Sequence, residues 1–251
     1  IGNLLSSMIS HQSNLGALFT DYGRLDSIEA FTTEAAGASG AAALRLGVLA
    51  ILSGQADTVA VLGVEKWSDL VRADAEAMIT QELDYDYESI PGLTSTSQAA
   101  LIQQRYLHEH DLEQNALSGF ALLAHANAVH NPFAFYRNPL TEEGYARAGM
   151  LSDPITIFDG ATYADGAAAL VLTRRELLPR GYAHPVISVM GSGASSDALS
   201  WHDRTEPMSF TAAVRAIDQA VQQAGLSKEQ IDLFELDDAF SIYAALTLEG
   251  V

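Results

Sequence analysis

The sequence predicts an α/β fold in which two helix-and-strand halves flank a mainly helical insertion. Three observations predict it. Apolar, β-branched runs such as "DTVAVLGVE" read as interior strands. A stretch of helical periodicity stands next to each of them. Between Lys66 and Asp153 the strand signal disappears and only helices are signalled.

The elements follow in order. "TTEAAGASGAAAL", Thr32 to Leu44, reads as a strand end, a tight turn of small residues and the opening of a helix. "SGAAALRLGVLAILSG" is apolar on nearly every face, broken by Arg45, and predicts a buried helix closed by Gly54. "DTVAVLGVE", Asp57 to Glu65, is the strand after it. The insertion carries two amphipathic helices, "TSQAALIQQRYLHEH" and "EQNALSGFALLAHANAVHN", the second stopped by Pro132. "DGAAALVLT" brings back a buried strand, Ala167 to Thr173. Beyond "RRELLPRGYAH", the run "PVISVMGSG" predicts a strand entering a glycine turn. "SFTAAVRAIDQAVQQAGL" predicts an amphipathic helix with Ser209 as N-cap and Gly225 at its end. "IDLFEL" reads as a strand and "AFSIYAALTLEG" as a helix starting near Ala239. The chain opens within an element and stops directly after a helix, as expected of a piece of a longer protein.

Composition narrows the function. At 251 residues the chain has length for a substantial core, and 48% hydrophobic residues with no apolar run near twenty argue for a globular protein without a membrane span. The first residues lack the basic start of a signal peptide, so a cytoplasmic location is expected. Cysteine is absent, which removes disulfides, thiolate metal sites and thiol catalysis from these residues. Thirteen basic against 32 acidic residues give a net charge of −19, which repels nucleic acid and anionic lipid. Six carboxylates fall in "DAEAMITQELDYDYESI", Asp74 to Ile90. Asp84, Asp86 and Glu88 alternate there, but the glycine and distal glutamate of a calcium loop are missing, so a solvated face is the expectation. No metal site is expected elsewhere: His108 and His110 fall on different helix faces, and His125 and His130 are five apart. "GSGASS" has neither the lysine of a P-loop nor Rossmann spacing, and no G-x-S-x-G elbow supports a hydrolase.

Three blocks carry a family resemblance. "EAAGASGAAALRLGVLAILSGQADTVAVLGVEKWSDL" resembles the nucleophile block of thiolases, particularly the branch of the sterol carrier protein X thiolase domain. "PITIFDGATYADGAAALVL" resembles the family's aspartate–glycine–alanine strand. "IDLFELDDAFSIYAALTLEG" resembles the block whose usual core is His-Asp-x-Phe or Asn-Glu-Ala-Phe. The resemblance implies a thiolase fold: two βαβ-type halves in a layered α-β-α-β-α arrangement with a helical loop domain. Residues 1–65 and 154–178 would form the N-terminal half, 66–153 the loop domain, and 179–251 an incomplete C-terminal half. A first strand–helix unit and a final glycine-rich, histidine-containing segment of a full thiolase would lie outside this sequence.

The site residues depart from the family's pattern. Thiolases place a cysteine at a helix N-terminus, where free N–H groups and the helix dipole favour the thiolate that takes an acyl group from coenzyme A. That position is Gly37 here, and Ser39, the family serine that packs the helix start, has no visible base. Where the family has histidine or asparagine this chain has Asp237, followed by Asp238. A carboxylate is a poor oxyanion donor unless protonated, but it can act as a base, hold a cation or water, or cap the helix that follows. Tyr163, in the "GATYADG" turn, lies where relatives place active-site wall residues; it can donate a proton or simply pack.

Three functions follow from the resemblance. One is a cysteine-independent retro-aldolase acting on acyl-CoA thioesters in lipid or steroid side-chain breakdown, in which Gly37 makes room for substrate. Known thiolase-like relatives without the cysteine work this way with a small OB-fold partner carrying a zinc ribbon. The second is a non-catalytic scaffold subunit of a multienzyme complex. The third, an acetyl-CoA C-acyltransferase, conflicts with the missing thiol. The expected ligand is a coenzyme A thioester as substrate, met by Arg45, Arg174, Arg175 or Arg204, with no covalently bound cofactor. A homodimer or dimer of dimers built on "DTVAVLGVE" is expected, because that strand is too apolar for a solvent edge.

Overall fold

The computed structural model describes the backbone of residues 1–251 and every side chain except that of Arg72. In chain order the elements are α1 (Ser6–Ile9), α2 (Leu15–Gly23), α3 (Ser39–Leu52), β1 (Thr58–Glu65), α4 (Arg72–Ile79), α5 (Ser95–Glu109), α6 (Ser118–Ala128), α7 (Glu142–Ala146), β2 (Met150–Ser152), β3 (Ile155–Thr156), β4 (Gly166–Thr173), α8 (Thr211–Ala224) and α9 (Ser241–Glu249). They form two compact units, one of residues 1–78 and 163–192, the other of residues 79–162 and 193–251.

The first unit is built on an antiparallel pair. Strands β1 and β4 run in unbroken register from Thr58 opposite Thr173 to Glu65 opposite Gly166. Both expected strands are therefore present, 100 residues apart in sequence and joined edge to edge. Helix α3 lies on this pair, and Gly47 sets the approach: a β-carbon there would come within 2.9 Å of the Leu172 and Val61 side chains. The other edge of β1 is bridged by Gly2, whose N–H donates to the Leu62 carbonyl at 2.7 Å.

Burial in this unit falls short of the sequence reading. Only Ser39, Ala43 and Gly47 of α3 are buried, and Leu46, Leu49 and Leu52 are exposed. β4 is likewise exposed along most of its length, with Val171 70% accessible. A helix apolar all round needs neighbours on all sides, and α3 has the sheet on one side only.

The expected strand "PVISVMGSG" is not formed. Among the described residues no backbone–backbone hydrogen bond involves residues 183–199, and Ile187 is 91% accessible. Its apolar side chains instead line an open cleft of about 400 Å³ with Ile51, Leu52 and Val171. An apolar run can pair as a strand only where a partner edge exists.

The second unit holds the large core. Ala99, Ala100, Ile102 and Tyr106 of α5 pack with Leu117, Ile155 and the Ile242, Ala245 and Leu246 face of α9. α5 opens with a capping box: the Ser97 N–H donates to Thr94 Oγ1 at 3.1 Å, and the Thr94 N–H to Ser97 Oγ at 2.8 Å. α8 ends at Gly225 as expected, but its N-cap is Phe210 rather than Ser209, without a side-chain cap. "IDLFEL" is not a strand either: Leu233 is exposed, and no ladder forms among the described residues.

Candidate active site

The turn before α3 is built by backbone and one serine. Ala36 takes a left-handed φ of 48°. The Ala38 N–H donates to the Ala35 carbonyl and the Ser39 N–H to the Ala36 carbonyl, each at 3.0 Å. Ser39 Oγ accepts from the Ala35 N–H at 2.9 Å and donates to the Ala36 carbonyl at 2.7 Å. Ser39 is 4% accessible, and its hydroxyl both accepts and donates within the turn. Its proton points at an amide carbonyl, which is not a base, so Ser39 staples the turn and is not poised as a nucleophile.

Gly37 is exposed in this turn, at the position the resemblance gives to the nucleophile. No side chain caps α3 and no acidic residue stands in its first turn, but the Glu34 carboxylate accepts the Ala36 N–H at 2.5 Å just before it and offsets part of the positive charge of the helix start. Gly2 backs the turn from behind: a β-carbon there would overlap the Ser39 carbonyl oxygen.

In the same unit, β-pairing brings Tyr163 to the end of β1. Because Glu65 and Gly166 face each other, the loops that follow and precede them meet. Asp165 accepts the Trp67 and Ser68 N–H groups at 2.6 and 2.8 Å. The Ser68 hydroxyl first, and then these two N–H groups, hold its carboxyl below the ordinary carboxylate range. The Tyr163 ring stacks on Trp67 with centroids 4.8 Å apart, and its hydroxyl donates to Glu76 Oε2 at 2.7 Å. Tyr163 therefore packs and is hydrogen-bonded as well. Glu76 was missed by sequence reasoning: it belongs to the acidic run read as a solvated face, and 87 residues separate it from Tyr163.

Asp237 and Asp238 belong to the second unit, where two motifs are zipped together. The Ala161 N–H donates to the Ala239 carbonyl and the Ser241 N–H to the Asp159 carbonyl, both at 2.9 Å, so the "FDGA" and "DDAF" runs lie side by side. Asp159, 2% accessible, accepts from the Tyr145 hydroxyl at 2.8 and 2.9 Å and from the Thr156 N–H and hydroxyl at 2.9 and 2.8 Å. This buried network fixes the strand of backbone on which the "DDAF" run hangs, and no local signal in the sequence distinguishes Asp159 from a surface aspartate.

The helix after Asp238 starts at Ser241 rather than near Ala239, with Phe240 as an N-cap that offers no side-chain bond. Asp237 does not cap it; its Oδ1 accepts the Ala239 N–H at 3.0 Å in a short local turn. The Asp238 carboxyl is pushed above the ordinary carboxylate range, first by partial desolvation and then by the neighbouring charges of Asp237 and Glu235. Tyr243, one turn into α9, is raised above its ordinary value, mainly by burial and then by Asp237. The arrangement supplies a carboxylate of enhanced basicity and a reluctant phenol, with no thiol and no activated hydroxyl.

Three of the expected phosphate-binding arginines are engaged by the protein itself. Arg45 donates to the carbonyl and hydroxyl of Ser192, Arg174 pairs with Asp57, and Arg204 Nε donates to the Ala198 carbonyl at 3.1 Å. Arg175 is exposed, and its guanidinium has no partner among the described residues.

The comparisons with known proteins agree with this construction. The model for the thiolase N-terminal domain matches residues 1–138, and the thiolase C-terminal domain-like model matches residues 193–251. The chain belongs to the thiolase family. Among curated relatives it is 32% identical to an acetyl-CoA acetyltransferase of Methanothermobacter thermautotrophicus, over 100% of this chain and 65% of that protein. It is 25% identical to a 17-hydroxy-3-oxo-4-pregnene-20-carboxyl-CoA lyase of Mycobacterium tuberculosis, over 85% of this chain and 58% of the lyase. The chain thus spans under two thirds of these relatives. A solved structure described as an Ltp2–ChsH2(DUF35) aldolase shares the fold with a TM-score of 0.74 at 24% identity, covering 86% of this chain and 56% of that one. Among the described residues no helix is long and apolar enough to cross a membrane.

Proposed function

We propose that the chain is part of a thiolase-family protein that binds acyl-CoA thioesters and cleaves a carbon–carbon bond by a retro-aldol reaction, without a covalent acyl-enzyme. One observation carries the reading: the turn that presents the nucleophile in thiolases presents Gly37, and the hydroxyl of Ser39 is consumed by that turn. Retro-aldol cleavage needs no nucleophile. A base removes the proton of a β-hydroxyl, the bond between α- and β-carbons breaks, its electron pair passes into the thioester enolate, and a carbonyl remains on the departing fragment. Asp238, held above the ordinary carboxylate range, is the candidate base. Arg175 is the candidate for coenzyme A phosphates, and the partner is proposed to be a small OB-fold, zinc-ribbon protein. A homodimer through β1, or a dimer of dimers, is the proposed assembly in the cytoplasm.

Intact-mass spectrometry after incubation with acetyl-CoA should show no acetyl adduct, and thiolysis of acetoacetyl-CoA should stay at background. A β-hydroxyacyl-CoA should yield a shorter acyl-CoA and a free carbonyl compound, and Asp238→Asn should slow this by ~10²-fold, the scale of a lost general base. Thiolysis well above background that survives Ser39→Ala would refute the proposal. A chain that binds acyl-CoA but cleaves nothing would favour a scaffold subunit.

A further inference from the structure

Two donors beside the "DDAF" run carry hydrogens that the protein itself does not use. The Tyr243 ring, half-buried in the first turn of α9, meets Phe210 and Phe240 edge-on, with centroids 5.5 and 5.3 Å away. Its hydroxyl has no hydrogen-bond partner among the described residues. Arg204, also half-buried, is anchored through Nε on the Ala198 carbonyl, and its two terminal nitrogens have no partner among the described residues. The two side chains are near neighbours electrostatically: Arg204 favours a negative charge on the Tyr243 oxygen, whereas Asp237, Glu82 and Glu88 oppose it. All of these residues belong to the second unit, and Trp201, Phe210, Phe240 and Tyr243 pack on its core cluster. Donors partly withdrawn from water cost free energy unless something supplies an acceptor.

We infer that Tyr243 and Arg204 form a donor pair for the β-oxygen of the acyl group, the hydroxyl of the substrate and the carbonyl of the product. The inference rests on the retro-aldol reading above and adds the groups that hold the reacting oxygen. Charge selects which oxygen. The thioester oxygen takes on the enolate charge, and one guanidinium against three carboxylates is a poor place for it. The β-oxygen begins neutral and ends neutral: its proton passes to the Asp238 carboxylate, the bond between α- and β-carbons breaks, and that electron pair moves into the enolate while the C–O bond becomes C=O. It has to meet the base, and the base sits in the run that leads into Tyr243. Burial and Asp237 keep the phenol protonated, so it stays a donor throughout. The same carboxylates disfavour an acyl group that carries a carboxylate of its own. The substrate class is therefore acyl-CoA thioesters with a neutral β-oxygen.

The test is calorimetry of the unsubstituted chain with acetoacetyl-CoA, butyryl-CoA and succinyl-CoA. The first two have acyl chains of equal length that differ only in a carbonyl or a methylene at the β-carbon. Acetoacetyl-CoA has no β-hydroxyl to start the cleavage, so it survives the measurement. It should bind about tenfold tighter than butyryl-CoA, the scale of a hydrogen bond from a charged donor, with succinyl-CoA weakest. Tyr243→Phe keeps the ring contacts and removes the donor; it should weaken acetoacetyl-CoA roughly fivefold and leave butyryl-CoA unchanged. Arg204→Gln should act in the same direction, with circular dichroism to check its fold, and Tyr243→Phe decides alone if that variant misfolds. Equal affinities for acetoacetyl-CoA and butyryl-CoA would overturn the inference. So would an equal loss for both in Tyr243→Phe, which would put the pair on a group common to both ligands, and so would tightest binding of succinyl-CoA, which would mark an anion site. Cleavage of a β-hydroxyacyl-CoA judges the reaction separately. Cleavage without a preference for the β-oxygen sinks the pair alone, a preference without cleavage keeps the pair and sinks the reaction, and no binding of any of the three thioesters overturns both.

Discussion

The two units use the same device, a carboxylate gathering N–H groups, in opposite surroundings. In the first unit Glu65 accepts from the N–H groups of Leu4 and Leu5 and from the Asn3 amide, and Asp165 accepts from Trp67 and Ser68. Asp165 is exposed. In the second unit Asp159 and Glu88 are 2% and 4% accessible, and Glu88 accepts from Gln98 at 3.1 Å, from the Trp201 N–H at 2.9 Å and from the Asp84 N–H at 3.0 Å. A buried carboxylate left without partners is far more costly than an exposed one, so the second unit tolerates less disturbance of its donors. The core cluster also belongs entirely to the second unit. What distinguishes the units is how much of their bonding is hidden from water.

Each unit carries one of the chain's two tryptophans, Trp67 in the first and Trp201 in the second, which lets the comparison be tested separately. The largest effect is expected from Ile242→Ala. Ile242 is fully buried, and the cavity should cost about 2–5 kcal/mol. Denaturant unfolding followed by Trp201 in a Trp67→Phe background should shift to lower midpoint, and the Trp67 signal in the reciprocal background should shift less. Identical shifts would show that the chain unfolds as one body and erase the contrast.

Gly2→Val probes the first unit. The added atoms meet the Ser39 backbone, which cannot swing away as a side chain would, so a loss of roughly 1–3 kcal/mol is expected in the Trp67 transition. An unchanged midpoint would mean that residue 2 does not support the turn.

A smaller, pH-gated effect separates the units at alkaline pH. Tyr106 donates to Glu249, and burial first, then that carboxylate, push its pKa up to about 12. A raised phenol pKa stabilises the fold fully below pH 10, and the contribution is lost as pH climbs from 10 towards 12. Tyr145 and Tyr243, also of the second unit, are raised too. Stability read by Trp201 should fall over that window, and Tyr106→Phe should flatten part of the fall. An equal alkaline loss in the Trp67 signal would contradict the assignment to one unit.

The smallest effect is expected at acid pH. Asp165 has a lowered pKa, so its contribution is present above about pH 4 and lost as pH falls through the folded value. It is exposed, so Asp165→Asn should shift Trp67 fluorescence and change its acid titration while barely altering the unfolding midpoint. A large midpoint shift would mean that the loop bears more of the unit than its exposure suggests.

Much of this architecture was legible because period and punctuation are local. α3, α5, α8 and α9 announce themselves by spacing and end residues, and β1 and β4 by β-branched and small apolar runs. The resemblance placed Gly37 and Ser39, and the geometry of Ser39 agrees with the packing role expected of it. The runs 185–193 and 231–236 were misread because a sequence displays the capacity to pair and not the presence of a partner edge. Ser209 failed as an N-cap because the helix begins two residues later, at Thr211, and helix ends are where a repeating pattern says least about its own limits. Glu76 and Asp159 were invisible for another reason: their partners are set by pairings that close only in three dimensions.

The pairing of Glu65 with Gly166 has a consequence for how such a chain can vary. The polypeptide departs from β1 and returns to β4 at facing positions, about one strand spacing apart, after a detour of 100 residues. Whatever is spelled out along the detour, its two ends are already fastened together by the ladder and by the grip of Asp165 on Trp67 and Ser68. Loops within the excursion can therefore lengthen or shorten without asking β1 and β4 to move, so long as the face that packs on α9 and the bonds of Asp159 and Ala161 to the run before it are kept.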